Sequence, residues 1–109
     1  MGQNKVTFFK VKTFDDLVFT RRDFSGIDPA VAEWIIDSTP FRATVNFDTE
    51  FGDGTSASVV CGKTTYSTKG KDDEYESFEV WYSDEEEPRG YETKEQITLE
   101  FLRRSFNKR

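Results

Sequence analysis

The amino-acid sequence predicts a single α+β domain over residues 1–109. An antiparallel β-sheet, a three-stranded meander joined by an N-terminal strand, packs against two helices in the order β-(?)-α-β-β-β-α. Three observations carry that prediction. Residues 41 to 47 and 74 to 83 alternate apolar and polar side chains with the period of two that a half-buried strand requires. Asp28-Pro29 and the Thr93/Gln96 pair are helix-start signatures, each followed by apolar residues at helical spacing. Gly52-Asp53-Gly54 and Gly70-Lys71-Asp72 supply the reversals between strands.

Taken in order, Lys5 to Lys12 (KVTFFKVK) is rich in β-formers and reads as the N-terminal strand, with Val6 and Phe8 on one face and Phe9 and Val11 on the other. The queried segment is Thr13 to Phe24. Thr13 with Asp16 three residues on resembles a capping box opening a short helix, whereas LVFT reads equally well as strand. Asp28 is a good N-cap and Pro29 suits the first helical position, where no N–H is needed. Val31, Trp34 and Ile35 then form one apolar stripe, and Ser38, Thr39 and Pro40 end a helix of about ten residues.

Phe41, Ala43, Val45 and Phe47 alternate with Arg42, Thr44, Asn46 and Asp48, giving the first strand of a hairpin. After the Gly52-Asp53-Gly54 reversal a second strand is expected from Thr55 to Ser67. The third runs from Glu74 to Ser83, with Phe78, Val80 and Tyr82 on one face and Ser77, Glu79 and Trp81 on the other. Pro88, Arg89 and Gly90 read as a loop. In the last segment Ile97, Phe101, Leu102, Ser105 and Phe106 share one helical face, and Glu100, Arg103, Arg104 and Asn107 occupy the other. QITLEFL also alternates as a strand would, but basic residues in the final turn favour a helix by opposing the negative end of its dipole.

Composition narrows the chemistry. Hydrophobic residues make up only 35%, so eleven Phe, four Tyr and two Trp must supply most of the core. No apolar run reaches the ~20 residues of a membrane helix, and the first residues lack a signal peptide's pattern, which points to a soluble cytoplasmic protein. The single Cys61 has no cysteine or histidine with which to form a disulfide or hold zinc, and is read as a small buried strand residue. Histidine is absent, which removes the commonest general base and the commonest transition-metal ligand. Neither an enzyme nor a cofactor is expected.

Charge is segregated. Residues 1 to 47 carry six bases and six acids, whereas residues 48 to 100 carry five bases and fifteen acids, a net of −10. Asp72 to Glu92 concentrates it: Asp72, Asp73, Glu74, Glu76, Glu79, Asp84, Glu85, Glu86, Glu87 and Glu92 against the lone base Arg89, for a net of −9 in 21 residues. Tyr75, Phe78, Trp81, Tyr82 and Tyr91 lie among these acids, which marks a folded acidic surface instead of a disordered tail.

That surface is the candidate site. Alternate strand residues stand about 6.6 Å apart, so Glu74 and Glu76 on one face, extended by Asp84 to Glu87, would present carboxylates where a DNA-binding protein expects phosphates. The plainer alternative is a solvated face that keeps a small protein in solution. Cation binding finds no support in spacing, because neither the stretch from Asp48 nor that from Asp72 meets the EF-hand pattern. Exposed carboxylate runs are poor acid/base pairs, and Gly52-Asp53-Gly54 lacks the lysine and helix of a phosphate loop. Arg21-Arg22 and the terminal Arg103, Arg104, Lys108 and Arg109 are small basic patches, read as dipole-matched helix ends and not as nucleic-acid contacts.

Trp81 and Tyr82 point to opposite faces of their strand, so one must leave the main core. An outward ring among acids has the composition of a binding hot spot, unless the N-terminal segment covers that face as a second layer. The expectation is a non-enzymatic inhibitor or adaptor. Its acidic face, with Trp81, would occupy the basic groove of a nucleic-acid-binding partner protein, with no direct contact to nucleic acid or membrane. In size, acidic folded surface and absent catalytic residues the chain is similar, as a class, to inhibitors of bacterial defence nucleases encoded by viruses and mobile elements. The alternative is a structural or interaction module that uses an aromatic surface and a sheet edge in a larger phage or bacterial complex.

Overall fold

The computed structural model describes residues 11–72 and 74–106. It is an α+β domain with one antiparallel sheet of five strands and two α-helices. The strand expected over Lys5 to Lys12 lies outside the described residues except for Val11 and Lys12, which belong to no regular element. The queried segment combines both of its readings. Phe14–Asp16 forms one 3₁₀ turn, closed by the Thr13 N–H donating to Asp16 Oδ2 at 2.7 Å. The chain then extends, and Thr20 exchanges two 2.9 Å backbone hydrogen bonds with Arg42.

Helix α1, Pro29–Ser38, starts as the sequence requires, with the Asp28 side chain accepting from the Ala30 N–H. Its stripe does not enter the core: Trp34 is 73% exposed and Val31 46%. Thr39 and Pro40 lead from α1 into strand β1 (Phe41–Asn46).

Strand β1 pairs antiparallel with β2 (Ser56–Cys61), Phe41 opposite Cys61 and Asn46 opposite Ser56. The expected Thr55 to Ser67 strand is divided: residues 62–67 leave the ladder, and β3 (Thr68–Lys69) resumes it. Strand β4 (Tyr75–Tyr82) is central, and β5 (Arg89–Thr93) occupies the segment expected to be a loop. Val80 stands between Val59 and Arg89, and Ser77 between Thr68 and Thr93. Hence β2 and β3 run in tandem along one side of β4 while β5 lines the other.

Helix α2, Lys94–Phe106, follows β5 directly and resolves the helix-or-strand ambiguity of QITLEFL. Its capping box is complete: the Thr93 N–H donates to Gln96 Oε1 at 2.8 Å, and the Gln96 N–H donates to Thr93 Oγ1 at 3.2 Å. The helix lays Ile97 and Phe101, both fully buried, on the inner sheet face formed by Val45, Val59, Val80 and Tyr82. Each such side chain withdrawn from water stabilises the fold by about 1.5–3 kcal/mol. Rings complete the core, Phe101 lying edge-on to Phe47 at 5.2 Å and Phe14 packing on Phe78 at 4.9 Å.

Candidate functional site

The charge around the acidic stretch is built from α2 outward. Ile97, Phe101 and Arg104 fall at i, i+4 and i+7, within about 60° of helix circumference and so on one face. Arg104 therefore points into the protein, not onto the solvent face to which the sequence reading assigned it, and it is 1% exposed. Phe106, expected on the buried face, is 58% exposed. The i+7 spacing from Ile97 was the available signal, obscured by the habit of placing arginine outside.

A buried guanidinium needs acceptors on every side, and the chain brings them from four places. Glu100 Oε2 accepts from Arg104 Nε at 2.8 Å, one helical turn back. Arg104 Nη1 reaches Thr55 Oγ1 and Asp84 Oδ1, each at 3.0 Å, and Asp53 Oδ2 at 3.3 Å. Asp53 is delivered by the β1–β2 connection, which is not the tight reversal that Gly52-Asp53-Gly54 suggested. The loop lies against the end of α2, with the Asp53 N–H donating to the Arg104 carbonyl at 2.9 Å. A side chain at position 52 would place its Cβ 2.6 Å from that same carbonyl oxygen, so only glycine permits the approach.

A second arginine closes the network. Arg89, on β5, meets Glu85 through two hydrogen bonds and approaches Glu92 at 3.7 Å and Glu100 at 3.6 Å. Both guanidinium groups lie over the Tyr82 ring, Arg104 at 4.1 Å and Arg89 at 4.9 Å from its centroid. The Tyr82 hydroxyl is buried without a hydrogen-bond partner, and burial, with the nearby Glu100 charge, raises its pKa. The hydrogen bond from Arg103, reinforced by Arg104, holds the Glu100 carboxyl down at about 2 against the opposing effect of burial.

The predicted acidic residues are thus of two kinds. Asp84, Glu85 and Glu92 are committed to arginines, Asp84 from an exposed position, and Asp72, Glu74, Glu76, Glu86 and Glu87 are exposed. Asp72, Glu74 and Glu76 gather with Glu95, Lys71 and Lys94 around one cleft beside the N-terminal end of β4, and Glu86 and Glu87 lie in the loop beyond its other end. Asp73 is outside the described residues.

Glu79 and Trp81 project from the outer sheet face. That face is crossed by residues 62–67: the Tyr66 N–H donates to Glu79 Oε1 at 3.2 Å, and its carbonyl accepts from Tyr91 at 2.9 Å. The N-terminal segment weighed as a second layer there lies outside the described residues up to position 10. Gly90 and Tyr91 together oppose the single Glu79 in a β-bulge, and Tyr91 has φ 55°, a left-handed conformation that is strained for a tyrosine. Trp81 stays 50% exposed, its indole N–H donating to the Glu85 carbonyl. Its surroundings on the sheet are Arg42, Thr44, Asn46, Ser56 and Ser58, hydroxyl and amide groups with one cation, not the expected ring of acids.

Among the described residues no helix is long and apolar enough to cross a membrane, and no group of three or more His, Cys, Asp or Glu could hold a metal ion. The fold and site define a small antiparallel α+β domain with an arginine-centred charge network beneath an acidic surface. Compared with protein-family models, curated proteins and solved structures, the chain finds no match in any of the three.

Proposed function

We propose that this chain is a non-catalytic binding protein, an inhibitor or adaptor, that offers its exposed carboxylates to the basic nucleic-acid-binding groove of a partner protein. The observation that carries the reading is the division of labour among the acids. Arg89 and Arg104 are engaged by Asp84, Glu85, Glu92 and Glu100, and the exposed acids Asp72, Glu74, Glu76, Glu86 and Glu87 outnumber the exposed Lys71 and Lys94 beside them. The exposed acids flank the two ends of an eight-residue central strand, roughly 26 Å of stiff backbone. Carboxylates so spaced raise the association rate with a basic groove and are sensitive to salt.

The test replaces only the exposed set, Glu74, Glu76, Glu86 and Glu87, by glutamine and leaves the network intact. Binding to a candidate nucleic-acid-binding partner is measured across salt concentrations and against duplex DNA as competitor. Loss of binding in the variant, steep weakening with salt and displacement by DNA are expected. Binding that ignores both salt and the four substitutions rejects the reading. A second reading is favoured by the exposed rings of Trp81, Tyr66 and Tyr91 on the outer side of β4: an interaction module that docks through aromatic contact. It predicts that Trp81→Ala abolishes a binding that the charge variant retains.

A further inference from the structure

The outer face of the sheet carries a grid of small polar side chains that neither the exposed carboxylates nor the arginine network uses. Thr44 stands opposite Ser58, and Ser58 opposite Trp81, so the three form one row across β1, β2 and β4. Asn46 and Ser56 begin the next row, which Ser83 completes by donating its N–H to the Ser56 carbonyl. Rows stand about 6.6 Å apart along the strands, and neighbours within a row about 4.8 Å apart. On the other side the row of Arg42, Val60 and Glu79 ends the grid, because Tyr66 reaches Glu79 there. The hollow between these residues measures about 420 Å³, within the ~300–1,000 Å³ of small-ligand sites.

Trp81 offers this hollow a half-exposed ring. Its indole N–H donates to the Glu85 carbonyl at 3.0 Å, which fixes the orientation of the ring. Around it Arg42 Nη1 donates to Ser58 Oγ at 3.2 Å, and Ser83 Oγ accepts from the Ser56 N–H at 2.9 Å. The side chains of Thr44, Asn46 and Ser56 meet no partner among the described residues. Of the described residues that line the hollow only Arg42 is charged, and no carboxylate is among them.

A ligand has to suit both the ring and the polar groups. An apolar molecule would cover the indole but strip water from Thr44, Asn46 and Ser56 without replacing its hydrogen bonds. A single-stranded nucleic acid would stack on the ring but bring phosphates towards Glu86 and Glu87, exposed in the loop whose Glu85 carbonyl holds the indole. A sugar meets both demands without charge: its C–H face packs on the electron-rich face of an indole, and each of its hydroxyls both donates and accepts. We propose that this face binds a neutral saccharide, with one pyranose ring over Trp81 and the hydroxyls of that ring and its neighbour among Arg42, Thr44, Asn46 and Ser56. The site is independent of the exposed carboxylates proposed above to meet a protein, and it gives Trp81 a ligand other than a protein surface.

The full chain is titrated with cellohexaose, maltohexaose, mannohexaose, galactohexaose and chitohexaose under amide NMR, beside single-stranded oligo(dT). Saturable binding of at least one of these sugars is expected, with shifts at Thr44, Ser56, Ser58 and the Trp81 indole N–H but not at Glu74 to Glu76. Trp81→Ala should weaken it about tenfold or more, and Thr44→Val, which keeps the shape and removes the hydroxyl, about fivefold. Trp34→Ala, at the exposed ring of α1, should leave it unchanged. The same spectra report whether each variant is folded. No saturable binding of any of these sugars, shifts confined to other surfaces, or a folded Trp81→Ala protein with undiminished affinity would each overturn the proposal. So would oligo(dT) binding more tightly at the same amides, or shifts there that grow with protein concentration in the absence of sugar, which would mark nucleic acid or a second copy of this chain as the occupant.

Discussion

Arg104 bears the heaviest electrostatic responsibility of any residue described. Its side chain is 2% exposed, and that of its partner Asp53 is 4% exposed. Removing the cation leaves the Asp53 carboxylate stranded where water hardly reaches it, so Arg104→Ala should lower the unfolding free energy by about 3–5 kcal/mol. Arg104→Lys should recover only part of the loss, because a single ammonium cannot serve acceptors arranged around a planar fork. Urea unfolding at neutral pH checks both, and a loss below about 0.5 kcal/mol for the alanine variant would show the network to be dispensable. Glu100 sets the pH response. Its folded-state carboxyl lies at about 2, below its ordinary 4.5, so its contribution is complete above the ordinary value and disappears as pH falls from about 5 towards 2. The denaturation midpoint should drop across that window, and Glu100→Gln should flatten the drop while lowering stability at pH 7.

At the scale of elements, the two helices look alike in sequence and differ in what they support. Ile97 is fully buried beneath α2, whereas Trp34 on α1 is 73% exposed. Ile97→Ala should cost about 2–5 kcal/mol, and Trp34→Ala should stay within about 0.5 kcal/mol, both by chemical denaturation. Periodicity reports which side of a helix is apolar but not which surface it meets, and so the stripe on α1 was legible while its exposure was not. Features written in a few neighbouring residues were readable: the Asp28 cap, the Thr93/Gln96 box and the alternation of β1 and β4. Features that depend on distant partners were not. Strand β5 exists because Arg89 to Thr93 finds the free side of β4, and residues 62–67 leave the ladder to bind Glu79 and Tyr91 across the sheet. Of the candidate site, the density of acids could be read, but their sorting into arginine-bound and exposed sets required the position of Arg104, which comes from the far end of the chain.

For the whole molecule, that sorting places charge at two depths. Mobile ions screen exposed groups over about 8 Å at physiological strength and act much less on pairs sealed inside. The unfolding free energy should therefore change little between about 50 mM and 500 mM salt, over which attraction through the exposed carboxylates collapses. Parallel denaturation and binding titrations would reveal any common dependence, which the depth of Arg104 argues against. An affinity matrix made with this protein as bait could then be stripped by a brine wash and loaded again, since the ions that release the captured molecule have no entry to the clasp between loop and helix that keeps the bait folded.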